Sequence, residues 1–184
     1  MPEVHIYPGP MLPPSIKCQI LSFIRIKWWW IFQGEHRFWD YTEKATHPVN
    51  VVLIEQELVV SHAEINRRMI EHTGQTFNAY GLSAVFTYPA WRKAGYGRQV
   101  VEAATHYIEE TDADVAMLFC LPNLVGFYQR CGWEHVEKSV LYGDPHQPTV
   151  DEEETLMMRF VSERGKLARS SFLDQAVYVG QRKW

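Results

Sequence analysis

The chain has 184 residues, a formal net charge of −4, 46% hydrophobic residues and 22% charged ones. That length accommodates one domain (1–184) with a sizeable core, and the composition excludes disordered and fibrous classes. The acidic balance argues against wholesale nucleic-acid binding.

In chain order, residues 1–14 hold Pro8, Pro10, Pro13 and Pro14 and read as an irregular lead. They lack the basic region and apolar core of a signal peptide. Ser15 is the expected cap of a first helix. Ile20–Phe32 is strongly apolar, but Arg25 and Lys27 interrupt it. It is also shorter than the roughly 20 residues of a membrane span, so no membrane is expected. Ile16, Ile20, Phe23, Ile24 and Ile31 follow a helical stripe and predict a core-packing helix. Trp28, Trp29 and Trp30 cannot share one helix face, so at least one ring should cover a partner, a substrate or a loop.

Next comes a hairpin, Val51–Glu55, a tight turn and Leu58–Ile70, rich in β-branched residues. "NAYGLSAVFTYP" is a further strand ended by Pro89. Gly97–Glu110 predicts a helix burying Val100, Val101, Ala104, Tyr107 and Ile108. Asp114–Cys120 is a short, continuously apolar strand of the buried type. "NLVGFYQRCG" is a short helix stopped by Gly132, and "WEHVEKSVLY" and "TLMMRFV" are two more strands. The order implies an α/β fold with a mixed sheet and parallel, right-handed central crossovers. Cys18, Cys120 and Cys131 are odd in number and have no metal-ligand spacing. Reduced thiols, a cytoplasmic setting and no metal are therefore expected.

The stretch that asks for chemistry is "WRKAGYGRQVVEA", beginning at Trp91. Arg92, Lys93 and Arg98 surround Gly95 and Gly97 where a helix begins, and positive charge there opposes the helix dipole. A bound anion would resolve that opposition, because a glycine-containing loop lets backbone N–H groups approach a phosphate closely. The alternative is a plain helix start with solvated cations. Glu109 and Glu110 oppose the dipole at the other end with no such excuse. Of the common phosphate motifs, the Walker pattern is missing because no Gly-Lys-Ser/Thr follows. The Rossmann GxGxxG fails because position 100 is Val.

Arg92-Lys93-Ala94-Gly95-Tyr96-Gly97 instead resembles the R/Q-x-x-G-x-G/A signature of the GNAT superfamily of N-acetyltransferases. "LSAVFTYP" resembles that family's cofactor strand. "NLVGFYQRCGWEHVE", with Phe127-Tyr128 followed by Cys131-Gly132-Trp133, resembles its second motif. The likeness spans roughly residues 51–160. It implies a largely antiparallel central sheet with flanking helices and splayed central parallel strands. It also implies acetyl-CoA as co-substrate, its pyrophosphate on the Arg92–Gly97 loop with Arg98 adding charge. Val85, Phe86 and Thr87 would offer strand groups to the pantetheine arm, Asn123 would sit nearby, and Tyr128 would protonate the departing thiolate.

The chemistry suits those roles. Acetyl transfer to an amine needs an oxyanion donor, a proton acceptor and a proton donor. A tyrosine of pKa about 10 can protonate a thiolate whose own pKa is about 8.5. Where many relatives carry a glutamate base, this chain has Ser83, which can hold a water. Glu64 and His62, two residues apart on the preceding strand and so on one face, are alternatives.

The "HAEINRR" strand, the acidic run and a C-terminal Trp resemble the aminoglycoside 2′-N-acetyltransferase group. That likeness implies a small or medium cationic amine as acceptor and a possible role in antibiotic resistance. Asp151, Glu152 and the rest of Asp151–Glu154 could gather such a cation, with Trp184 beside it, or form a solvated loop. Arg182 and Lys183 have the wrong sign for such a site. The C-terminal extension, 162–184, is expected near the acceptor. A peptide or protein N-acetyltransferase and a non-enzymatic CoA-binding regulator are the competing classes. A homodimer follows from the superfamily by analogy.

Overall fold

The structure is a computed structural model that describes residues 1–38 and 47–183. The strands are β1 (Glu3–Pro8), β2 (Val49–Glu55), β3 (Leu58–His72), β4 (Gln75–Thr87), β5 (Val115–Cys120), β6 (Glu134–Val136), β7 (Val140–Tyr142), β8 (Thr149–Val150), β9 (Thr155–Phe160) and β10 (Val177–Tyr178). The helices are α1 (Pro14–Lys27), α2 (Tyr96–Glu109), α3 (Val125–Arg130), α4 (Glu163–Leu167) and α5 (Arg169–Asp174). The hydrogen-bonded strand order is β1-β2-β3-β4-β5-β9-β6, with β10-β7-β8 as a separate small sheet. Two compact units divide the chain: Met1–Ile65 with Ala84–Ala104, and Asn66–Ser83 with Thr105–Trp184.

In the first unit β2 pairs antiparallel with β3 across a two-residue turn, Gln56-Glu57, whose φ angles of 49° and 67° fit the twist of a hairpin. The lead is not irregular. Its residues 3–8 form β1, antiparallel to β2 from Glu3↔Ile54 to Pro8↔Val49, because edge-strand positions tolerate proline. Ser15 does not cap α1. The helix starts at Pro14, whose fixed φ suits a first helical position. Ile16, Ile20, Phe23 and Ile24 are buried against Val52, Val59 and Phe86, as their spacing predicts. Phe23 stacks on Phe86 with centroids 4.0 Å apart and meets Tyr88 edge-on at 5.0 Å. Gln19 ties α1 to the hairpin by accepting from Val59 N–H (2.8 Å) and donating to the Glu57 carbonyl (2.9 Å). The stripe ends before Ile31, since Trp28 leaves helical geometry. Trp28 meets the edge of Phe23, while Trp29 and Trp30 are exposed.

In the second unit β4 runs parallel to β5 over only three pairs, Ala79↔Val115 to Gly81↔Met117. From Leu118 to Cys120, β5 continues with β9 as its partner. The central parallel strands therefore part after Gly81–Met117, which is the splay the family resemblance implies. "WEHVEKSVLY" is two strands rather than one. Glu137, Lys138 and Ser139 are exposed with nothing apolar to bury, so β6 stays on β9 while β7 pairs with β8 and β10. The core gathers Phe77, Val115, Met117, Leu156, Met158 and Phe172. Gly165 lets α4 close on β5, since a Cβ there would lie 1.9 Å from the Asp114 carbonyl oxygen. Among the described residues no helix is long and apolar enough to cross a membrane.

Candidate functional site

The end of β4 is built around an irregularity. Ala84 has φ 47°, rare for a residue with a Cβ, and a buried histidine holds its carbonyl. His62 Nδ1 lies 2.9 Å from Ala84 O, and Nε2 lies 3.0 Å from the Asn50 side-chain amide. Burial lowers the His62 pKa to about 4, against the gain from its bond to Ala84. The ring is thus neutral near pH 7 and carries one N–H between two oxygen acceptors, the Ala84 carbonyl at Nδ1 and Asn50 Oδ1 at Nε2. His62 is a clamp on the strand, not a free base.

This clamp has a measurable signature. The unfolded chain binds a proton at His62 near pH 6.5 and the folded chain only near pH 4. Stability from this group is therefore complete above pH 6.5 and is lost as pH falls toward 4, by about 3 kcal/mol in all. Denaturant midpoints of the wild-type protein should fall over that window, and His62→Gln should flatten the fall. Parallel pH profiles would show that His62 is not the titrating clamp.

Beyond Ala84 the strand's backbone groups alternate. Tyr88 N–H donates to Val60 O (3.0 Å), and Phe86 O accepts from Ser61 Oγ (2.7 Å). Residues 84, 86 and 88 thus turn their peptide groups toward β3, and Val85 and Thr87 turn theirs away from it. The Thr87 carbonyl accepts from Arg92 Nε (3.0 Å), and its hydroxyl lies 2.9 Å from Ser61 Oγ. The Phe86 ring packs in the α1 core, and its carbonyl accepts from Ser61.

The loop after β4 is exposed at Arg92, Lys93, Ala94 and Gly95 and half-buried at Tyr96 and Gly97. Lys93 and Gly95 have φ of 67° and 85°, which curls the chain into α2. The first intrahelical bond is Gln99 N–H to Gly95 O (3.0 Å). The N–H groups that open α2, at Tyr96 and Gly97, are therefore ahead of the helical ladder and point from its positive end. No acidic residue stands in the first turn. Arg98 pairs with Glu102 at 2.6 Å on the exposed surface, which reduces what it offers a ligand. At the other end of the helix Glu109 is explained by Arg159 Nε, 2.7 Å away.

In the second unit Tyr128 of α3 is buried. Burial raises its pKa far above the usual value, and the negative charge of Glu154 adds to the effect. Its hydroxyl is thus fully protonated at neutral pH. Burial, helped by Glu154, likewise pushes the Cys120 thiol up to about 11, so it stays a neutral thiol. Ser83 Oγ accepts from the buried Asn66 Nδ2 (2.9 Å), which fixes the hydroxyl where the glutamate was expected in relatives. Asn123 is exposed in a short turn just after β5. In the first unit, Glu64 is buried on β3 opposite Asn50.

The acidic run is less open than its sequence suggests. Glu152 and Glu153 are exposed, but the Asp151 side chain is only 5% exposed and binds Lys183 together with Glu154. Lys183, the residue of apparently wrong sign, is the partner of the acids. Trp184 lies outside the described residues. Among the described residues no cluster of His, Cys, Asp and Glu suits a metal.

Residues 31–136 match the family model described as an acetyltransferase (GNAT) domain. The chain belongs to the GNAT acetyltransferase family. Both motifs lie inside or at the end of the matched stretch, and the family activity is acetyl-CoA-dependent N-acetyl transfer. Among curated proteins none matches the chain. Solved GNAT structures share its fold at low identity. The Escherichia coli GNAT N-acetyltransferase YhbS in complex with CoA is 14% identical, over 98% of this chain and 89% of that one, with a TM-score of 0.65. Arabidopsis thaliana NAA60 in complex with acetyl-CoA is 11% identical over 86% and 99%, with a TM-score of 0.62. An aminoglycoside 6′-N-acetyltransferase complexed with coenzyme A is 12% identical over 87% and 98%, with a TM-score of 0.61.

Sequence reasoning missed the His62–Ala84 clamp, the Asn66–Ser83 bond and Lys183. An isolated histidine, asparagine or lysine carries no periodic or spacing signal. The two carboxylates sharing Lys183 are about 30 positions away from it.

Proposed function

We propose that this GNAT enzyme acetylates a primary amine of a small or medium cationic molecule in the cytoplasm, by direct attack on acetyl-CoA. The observation that carries the reading is the start of α2. Its leading N–H groups, acid-free first turn and Arg92–Gly97 loop form a receptor for a pyrophosphate. Val85 and the Thr87 N–H, turned away from β3, are the strand groups suited to the pantetheine arm and the thioester carbonyl. Tyr128 supplies the proton for the leaving thiolate. Proton removal from the amine falls to Glu64 or to a water held at Ser83. A multi-amine acceptor of the aminoglycoside kind fits the acidic surface at Glu152 and Glu153. The finer likeness to the 2′-acetylating group, with any part in resistance, rests on the same acidic run.

A panel of neutral, monocationic and multiply cationic amines, with a lysine peptide included, tests this by thiol release from acetyl-CoA. Release should be fastest with multiply charged amines. Charge attraction at exposed acids is screened over about 8 Å at physiological salt. Rising salt should therefore raise KM for those amines and leave kcat nearly constant. Release with no amine in the panel would overturn the acetyltransferase reading, and equal use of neutral amines would overturn the cationic acceptor.

A further inference from the structure

Phe119, Tyr142, Asp151, Glu154 and Lys183 are scattered in sequence and meet within the second unit. Lys183 Nζ lies 2.5 Å from Asp151 Oδ2 and 2.6 Å from Glu154 Oε2, and 5.7 Å from the ring centroids of both Phe119 and Tyr142. Asp151 is itself fixed, because its Oδ1 accepts from the backbone N–H groups of Glu153 (3.1 Å) and Glu154 (3.2 Å). A surface lysine with one carboxylate partner needs none of this. Two carboxylates and two aromatic rings around one bound cation make an ammonium receptor.

The cation it holds is carried on a long, flexible side chain. The segment after α5 is anchored by β10, which pairs with β7 at Val177↔Val140 and Tyr178↔Leu141. Lys183 lies five residues beyond that anchor, along a stretch where Arg68 donates to the Val179 and Arg182 carbonyls. The backbone is thus held as far as Arg182, and only the Lys183 side chain has to swing for its ammonium to leave the cage. Glu154 of the cage also adds its negative charge to what burial does in keeping the Tyr128 hydroxyl protonated.

We propose that this cage recognises a non-reacting ammonium group of the acceptor, and that Lys183 fills it as an internal stand-in until the acceptor displaces it. The inference rests on the amine N-acetyltransferase reading and narrows its substrate class. An amine held between Asp151 and Glu154 stays protonated. Burial alone would lower the Lys183 pKa, and the bonds to the two carboxylates outweigh it and raise the value. An ammonium has no lone pair for the thioester, so the caged group anchors and a second amine reacts. In that transfer the free amine forms the new N–C bond, the C–S bond breaks, the amine proton goes to the base and the thiolate takes the Tyr128 proton. The acceptor is therefore a diamine, a polyamine or a multi-amino sugar.

Calorimetry with 1,4-diaminobutane, without acetyl-CoA, tests the cage apart from turnover. Freeing a site that its tether fills nine-tenths of the time tightens apparent affinity about tenfold. Lys183→Ala should show that gain, and so should Lys183→Met, which keeps the apolar stem against the rings. Adding Glu154→Gln to either should abolish it. Unchanged diamine affinity in a folded Lys183 variant, or a gain that survives Glu154→Gln, would overturn the proposal and make Lys183 a structural clasp. Thiol release in the same proteins separates the two readings. Tighter diamine binding without any release upholds the cage and overturns the acetyltransferase reading. Release with unchanged affinity does the reverse.

Discussion

Replacing Tyr128 with Phe should lower kcat by about 10²-fold or more, the usual contribution of a positioned acid. KM for acetyl-CoA should hold, because the ring sits in a buried position that Phe fills equally well. The size of the effect follows from what the hydroxyl does. A departing thiolate needs a proton from a group that is still protonated when the C–S bond breaks. Burial, reinforced by the negative charge of Glu154, keeps Tyr128 in that state across the working pH range. The wild-type kcat profile should therefore show no falling limb from Tyr128 below pH 10, only the rise that comes with deprotonation of the acceptor amine. Turnover of Tyr128→Phe equal to wild type in pre-steady-state thiol release would make Tyr128 a packing residue.

Where burial follows a period, the fold was legible. Apart from Ile31 and the half-buried Tyr107, the α1 stripe and the buried face of α2 lie where their spacing puts them, and β2 and β3 form the expected hairpin, buried nearly continuously along both strands. Where structure depends on a partner distant in sequence, it was not. Residues 3–8 look irregular because of their prolines, and they become a strand because β2 offers an edge. Ala84 has no sequence mark of its positive φ, which His62, 22 positions away, holds in place. The site shows the same division. The Arg92–Gly97 loop is local and carries its chemistry in consecutive residues. In sequence the acidic run fits either a cation attractor or a solvated loop, because charge in a sequence says nothing about pairing, and its pairing with Lys183 emerges only in three dimensions.

Gly97→Val should abolish acetyl-CoA binding in calorimetry while the protein stays folded. Gly97 is the second residue of α2, in the turn whose N–H groups precede the helical ladder. A β-branched side chain there adds bulk beside the donors, which is expected to keep a pyrophosphate from hydrogen-bond distance. Its cost to the helix is small, since Val and Gly differ in helix propensity by only about 0.5 kcal/mol, in favour of Val. Gly95 provides the contrasting substitution. A Cβ at Gly95 meets nothing within 4 Å, but φ of 85° disfavours any residue that carries one. Gly95→Ala should therefore lower stability by roughly 1–2 kcal/mol through the backbone, without placing bulk over the donors. The two variants separate the glycines by role, one for approach and the other for the turn. A folded Gly97→Val protein with wild-type acetyl-CoA affinity would remove the pyrophosphate from this loop. The opposition of Arg92, Lys93 and Arg98 to the helix dipole would then fall to solvent, the Arg98–Glu102 pair and the bond from Arg92 to the Thr87 carbonyl.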